Sequence, residues 1–146
     1  FPTELFDETG EFLRKEGNEY GATTGRPRRC GWLDLVALQY ALMINGVTDI
    51  ALTKADVLSK LDEIKICTAY RVNGELTDRM PSANDVQIEP VYTTLPGWKE
   101  DISHCKTYDE LPQRFKEYIQ FIENKTNTKI SIVSVSPDRE GTIFRI

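Results

Sequence analysis

The stretch DIALTKADVLSKLDEI, residues 49–64, passes from a short apolar run directly into a segment where Val57, Leu58 and Leu61 recur at helical spacing. Residues 49–53 read as a strand, and residues 54–64 as the helix that follows it. The same alternation extends outward in both directions. Upstream, LDLVALQYALMIN (33–45) puts Leu35, Leu38 and Leu42 on one broad apolar face and stops at Asn45 and Gly46, so it reads as a largely buried helix. A shorter helix is expected over residues 8–15, ahead of the break at Gly17 and Asn18. Downstream, KICTAYRVNGELTDRM (65–80) reads as a hairpin around Asn73 and Gly74. VQIEPVYTTL (86–95) is an extended run ended by Pro96 and Gly97. Residues 109–124 carry Leu111, Phe115, Tyr118, Ile119 and Ile122 at intervals of three and four, which predicts an amphipathic helix. KISIVSVS (129–136) is a buried strand, and residues 142–146 add one more. No internal repeat or low-complexity linker interrupts this order. The reading is one domain over residues 1–146, of α/β class, with a mixed, mostly parallel sheet, helices and a small antiparallel hairpin.

A chain of 146 residues, 40% apolar and 28% charged, is long enough to bury a core. Its net charge of -5 argues against a nucleic-acid or anionic-membrane surface, either of which needs a basic stripe. Cys30, Cys67 and Cys105 lie far apart with no C-x-x-C spacing, so neither a disulfide framework nor a zinc cluster is signalled and reduced thiols are expected. No apolar run is long enough to span a bilayer and no leader pattern opens the sequence, which points to a cytoplasmic protein. The start at Phe1-Pro2-Thr3, without Met, reads as a processed or truncated chain.

Against that acidic background one knot is basic. ATTGRPRRCG (22–31) holds two hydroxyls, two glycines and three guanidinium groups. Pro27 biases Arg26 toward extended backbone, where side chains two apart share a face, so Arg26 and Arg28 are expected to converge while Arg29 points away. Gly25 allows a positive φ, and Thr23 and Thr24 add hydroxyls and amides. Together these groups suit carboxylate or phosphate oxygens. Two other readings stand beside this one. In one, the loop simply pairs with the first twenty residues, which carry six acids against two bases. Gly-Arg-Pro also resembles the core of a minor-groove hook, although that motif needs disordered basic flanks.

Thr53-Lys54-Ala55-Asp56 lies where strand becomes helix. In guanine-nucleotide sites a Lys-x-Asp at such a junction lets the carboxylate accept from guanine N1–H and the 2-amino group while the lysine stem lies along the base. Thr-x-x-Asp is also a helix capping box. Residues 134–139 form a polar turn at the end of a strand, where α/β proteins meet ligands or merely turn. His104 is the only histidine and has no visible acid–base partner, so it reads as a surface or merely satisfied residue and not a catalyst. Trp32 and Trp98 each follow a glycine and read as packing residues.

These motifs are recognisable in combination. GNEYGATTGRPRRCGWLDLVAL (17–38), LTKADVL (52–58) and the sequence from IEPVYTTLPGW (88–98) onward resemble the carboxyl-terminal part of the adenylosuccinate synthetases. Those enzymes of purine synthesis join IMP and aspartate with GTP hydrolysis. The resemblance runs in order over essentially the whole chain and implies part of a P-loop-like nucleotide hydrolase fold. It further implies that Ala22, Thr23, Thr24, Gly25, Arg26, Pro27 and Arg28 form the loop over L-aspartate, that Arg26 also reaches IMP, and that Arg28 lies between aspartate and GTP. Lys54, Ala55 and Asp56 would hold the guanine, with Ser134, Val135 and Ser136 as the other wall. Ser136 stands where the family usually has glycine. In this family GTP phosphorylates the IMP 6-oxygen with Mg2+ and an Asp base, and the aspartate amine then displaces phosphate. The phosphate loop, the Asp base and the metal ligands belong to the amino-terminal part and have no counterpart in this sequence. The resemblance thus implies a homodimeric enzyme of which this chain carries about a third, without catalytic or metal-binding residues and inactive alone. The alternative is a free-standing module that binds a nucleotide or partner without chemistry.

Overall fold

The computed structural model describes residues 1–82, 84 and 87–145, so Val86 and Ile146, at the ends of two expected strands, lie outside the described residues. In chain order the elements are α1 (Glu8–Glu16), β1 (Leu33–Asp34), α2 (Leu35–Asn45), β2 (Asp49–Leu52), a 3₁₀ turn (Ala55–Leu58), β3 (Glu63–Val72), β4 (Glu75–Thr77), β5 (Ile88–Pro96), α3 (Gln113–Thr126), β6 (Lys129–Ser134), a second 3₁₀ turn (Arg139–Gly141) and β7 (Thr142–Phe144). The residues gather into two compact units, Phe1–Ala37 with Lys65–Thr93 and Leu38–Ile64 with Thr94–Ile146. The strands form two sheets, not the single one the sequence suggested, and both sheets belong to a mixed α/β fold.

The first unit is organised on β3, which pairs with β1 in parallel, with β4 antiparallel and also with β5. The expected hairpin is present: Asn73 and Gly74 take φ of 49° and 90°, the left-handed pair that a tight turn between right-twisted strands requires. Val36, Cys67 and Tyr70 are buried together, with Val72, Ile88 and Tyr92 packed against them. The Tyr70 hydroxyl donates to Asp34, whose other oxygen accepts the Ala37 N–H at 3.1 Å. Asp34 therefore does the work of an N-cap, so the helix begins at Leu35, not at Leu33 as expected, and Leu33 and Asp34 remain extended as β1. Burial, with the Asp34 charge adding to it, pushes the Cys67 thiol up to about 11 and raises the Tyr70 hydroxyl as well.

The second unit is organised on β6, flanked by parallel β2 and antiparallel β7. α3 buries Phe115, Tyr118, Ile119 and Ile122, the stripe its sequence spacing predicts, and contacts β6. It starts at Gln113, later than expected, because Pro112 at the cap disfavours helical backbone at Leu111, which is buried in the preceding turn. Trp98 is a packing residue, as read: its ring lies 4.6 Å from that of Phe115 and 5.7 Å from that of Tyr118, centroid to centroid. Its indole N–H donates to Ser59 at 3.0 Å. At the far end of the unit, the Arg145 guanidinium bonds to Glu123 Oε1 and to the Ile130 carbonyl, both at 2.6 Å. The same Glu123 oxygen accepts the Ile130 N–H at 2.7 Å.

Two further expectations fail for physical reasons. The helix over residues 54–64 is only the 3₁₀ turn Ala55–Leu58, entered through Lys54 at φ 58°, a left-handed residue that cannot continue a helix backward. α2 is not largely buried. Leu35 and Val36 are covered, but Tyr40, Met43 and Ile44 are exposed, the last two to 71% and 60%. Apolar residues on every side of a helix leave its buried face undetermined by sequence.

Candidate functional site

The basic loop belongs to the first unit and is built as a small antiparallel clasp. Tyr20 and Pro27 form a bridge, the Arg28 N–H donates to the Glu19 carbonyl at 2.9 Å, and the Gly21 N–H donates to the Arg26 carbonyl at 2.8 Å. At the tip, Gly25 takes φ 65° and the Thr24 hydroxyl accepts the Arg26 N–H at 3.3 Å. A side chain other than glycine would strain that turn. Residues 22–29 are all exposed.

The three guanidinium groups have different fates. Arg29 is bound to Glu4, with Nε at 2.7 Å from the carboxylate, and stacks over Phe1. This pair holds the Glu4 carboxyl below its usual value and raises the arginine. Arg28 bonds to Glu19 at 2.8 Å, and the Arg28 carbonyl accepts from Arg14 Nε at 3.0 Å. Among the described residues the Arg26 guanidinium has no acidic or carbonyl partner. Pairing with the acidic first segment thus holds for Arg28 and Arg29, while Arg26 is exposed and outside that pairing. The acid that meets Arg28, Glu19, was missed in the sequence because nothing local distinguishes it from its five acidic neighbours.

The second set of residues lies in the other unit. β2 and β6 run parallel, with Leu52 in register with Val133, so residues 53–56 and 134–136 leave the sheet at the same edge. The 3₁₀ turn contacts β6. That edge, at the carboxyl ends of parallel strands, is where open α/β sheets receive ligands. The capping-box reading of Thr53 and Asp56 is not realised, since the turn begins at left-handed Lys54 without a side-chain cap. Asp56 is half-buried, and desolvation raises its carboxyl above the ordinary 3.8, against the opposing pull of its own amide, the Lys54 charge and the Val57 amide. On the other wall, the Ser134 hydroxyl donates to the Ser136 carbonyl at 3.0 Å and the Val135 N–H to the Gly141 carbonyl at 2.8 Å.

Ser136 uses its hydroxyl to accept the Asp138 N–H at 3.3 Å. It fills space that Gly141 leaves open: a Cβ there would stand 2.0 Å from Ser136 Oγ. The serine is thereby taken up by its own turn. Beside it lies an open cleft of about 540 Å³ whose lining includes Ser103, Lys106, Ser136 and Arg139. Arg139 ends the polar turn read from the sequence, whereas Lys106 was not singled out, because only folding brings the residue-106 turn beside the residue-139 turn. His104 is exposed, as expected. Among the described residues no group of three or more His, Cys, Asp or Glu could hold a metal ion, and no helix is long and apolar enough to cross a membrane.

Fold and turns together define a mixed α/β chain that presents polar residues at the carboxyl ends of parallel strands. The family model described as adenylosuccinate synthetase matches residues 1–143. The chain is 54% identical over 145 residues to adenylosuccinate synthetase of Phocaeicola vulgatus, covering 99% of this chain and 34% of that one. It is 55% identical over 145 residues to the Clostridium kluyveri enzyme, covering 98% and 34% respectively. A solved structure, that of fully ligated adenylosuccinate synthetase from Plasmodium falciparum, superimposes with a TM-score of 0.92 at 45% identity, covering all of this chain and 36% of that one. The chain belongs to the adenylosuccinate synthetase family, and it spans about a third of the length of the curated relatives it matches.

Proposed function

We propose that this chain contributes the amino-acid loop and the guanine-facing turns of a GTP-dependent ligase that joins IMP and L-aspartate into adenylosuccinate, in AMP biosynthesis. Family membership supports the reaction. The observation that carries the guanine assignment is the parallel register of β2 and β6, which brings residues 54–56 and 134–136 to one sheet edge. In this reading the Asp56 carboxylate accepts the two guanine donors, N1–H and the 2-amino group. The Lys54 stem lies along the base, and Ser134, Val135 and Ser136 line the opposite side.

In the loop, Thr23 and Thr24 offer donors to the aspartate carboxylates and the open Arg26 fork binds anionic oxygens there and the IMP ribose. Arg28 lies between aspartate and nucleotide. Preorganised cations of this kind lower the cost of assembling several anions in one place. Mg2+ and the groups that act on the phosphates and on the IMP 6-oxygen come from outside these residues. The chain alone is expected to bind without turnover. The reading carries with it a homodimeric, cytoplasmic enzyme that engages neither nucleic acid nor membrane.

The test is calorimetric titration of GDP and of ADP into this chain. Selective uptake of GDP is the expected outcome. Equal uptake of both nucleotides would return the turns to a general binding module, and uptake of neither would assign the affinity to the phosphate-binding part of a longer enzyme.

A further inference from the structure

We propose that Glu19 sets the charge selectivity of the basic loop: it occupies Arg28 as a resident carboxylate, so that Arg28 engages only a ligand whose second anionic group displaces it. The inference rests on the reading of residues 22–28 as a receptor for a dicarboxylate. It starts from the unequal state of the two forks. Arg26 has no carboxylate partner among the described residues, whereas Arg28 Nη1 lies 2.8 Å from Glu19 Oε2.

The pairing is built into the clasp. The bridge between Tyr20 and Pro27 sets Glu19 opposite Arg28, their backbones are joined by the Arg28 N–H bond to the Glu19 carbonyl, and Arg14 holds the Arg28 carbonyl from the other side. The carboxylate is the more sheltered partner. The Glu19 side chain is 23% exposed and that of Arg28 is 55% exposed, so much of the guanidinium remains accessible to an incoming anion while still bound to its internal one.

An ion pair this exposed contributes little to stability and is readily exchanged. Its effect is on the field that a ligand meets. With Glu19 in place the receptor presents one uncompensated guanidinium, enough to attract an anion and too little to hold two indiscriminately. A dianion binds Arg26 with one group and exchanges the other for Glu19 on the Arg28 fork, where a planar carboxylate can take a bidentate geometry that the single Arg28 Nη1–Glu19 Oε2 contact does not have. A monoanion has nothing to offer in that exchange. Glu19 is in this sense a specificity-determining, positioning residue that need not touch the substrate.

The experiment is Glu19→Gln in a complete enzyme carrying this segment, with steady-state KM for aspartate and for GTP, and inhibition by succinate and by acetate. Removing the resident charge is expected to lower the aspartate KM several-fold, to leave the GTP KM within about twofold, and to make acetate an effective competitor where it was not. An unchanged or raised aspartate KM, or equal shifts in both KM values, would overturn the inference. If the variant does not fold, the unaltered enzyme gives a second reading. Exchange of one carboxylate for another forms no net ion pair at Arg28, so the aspartate KM should rise with ionic strength as for a single new pair. A slope corresponding to two new pairs refutes the exchange. Arg26→Leu separates the two levels of the argument. An unaltered aspartate KM in Arg26→Leu removes the dicarboxylate reading itself, whereas a raised one beside an inert Glu19→Gln removes only the role of Glu19.

Discussion

The basic loop and the turns behind residues 56 and 136 are made from opposite materials. Residues 22–29 are exposed and are held by a few backbone hydrogen bonds and two surface ion pairs. The turns after β2 and β6 hang on buried residues: Ala55, Val133 and Val135 are 3% exposed or less, and Ser59, directly after the first turn, is bonded to buried Trp98. A loop of the first kind can rearrange around a ligand at small cost, while turns of the second kind keep their shape with or without one. One chain thus combines an adaptable segment with a preformed one, and the contrast can be attacked at either end.

The largest effect should come from the packed side. Trp98→Ala removes an indole packed against both Phe115 and Tyr118 and is expected to destabilise the chain by about 3–5 kcal/mol, measured by urea unfolding. A loss near that of a surface substitution would mean that the turn beside Ser59 is not anchored by this ring. Glu123→Ala comes next, at about 2–3 kcal/mol, since it removes the carboxylate that pairs with Arg145 and accepts the Ile130 N–H in a half-buried site. A change below half of that would place the pair with ordinary surface pairs.

Asp56→Asn exchanges an acceptor for a donor and is expected to weaken GDP by roughly tenfold, about 1.4 kcal/mol, while sparing IMP in a complete enzyme. The same carboxylate gives a pH signature. Its folded value is raised by desolvation, so its proton stays on to higher pH than in an ordinary aspartate. Binding that needs the ionised form should therefore fail, as pH drops, from a point above 3.8. A GDP affinity that is flat down to that value, or unmoved in the variant, counts against Asp56 as the acceptor.

Cys67 offers a milder test of the first unit's core. Its folded value of about 11 lies above the ordinary 9.0, so its contribution is complete below pH 9.0 and is lost as pH rises toward about 11. Melting curves across that window should fall for the parent chain and fall less steeply for Cys67→Ala. The smallest effect on stability is expected at the loop: Arg26→Leu should alter unfolding by less than about 0.5 kcal/mol, because among the described residues that exposed guanidinium has no acidic or carbonyl partner. If it unfolds the chain appreciably, the loop is structural and the contrast between the two regions collapses.

Particular residues show how far the sequence could be read. The spacing from Phe115 to Ile122 located the face of α3, and Asn73-Gly74 located the hairpin, because periodicity and turn chemistry act locally. The loop and the segments 54–56 and 134–136 were singled out as motifs, and the parallel register of β2 and β6 accounts for why the last two share an edge. What could not be read depends on distant partners. The helical spacing after Lys54 gives out at Leu58, where Ser59 accepts a hydrogen bond from distant Trp98 and the chain soon enters β3, and the apolar residues of α2 offered no clue to which would remain exposed. The role of Glu19 exists only once the clasp has closed against Arg28.

Asp34 carries a consequence for the order of events during synthesis. It lies three residues beyond the basic knot and takes a hydrogen bond from Tyr70, 36 positions later in the chain. A growing polypeptide cannot make that bond until β3 has emerged, so the downstream hinge of the loop is fastened late. During refolding, amide hydrogens near Ala37 should gain protection together with those of β3, after the local clasp between Glu19 and Arg28 has formed.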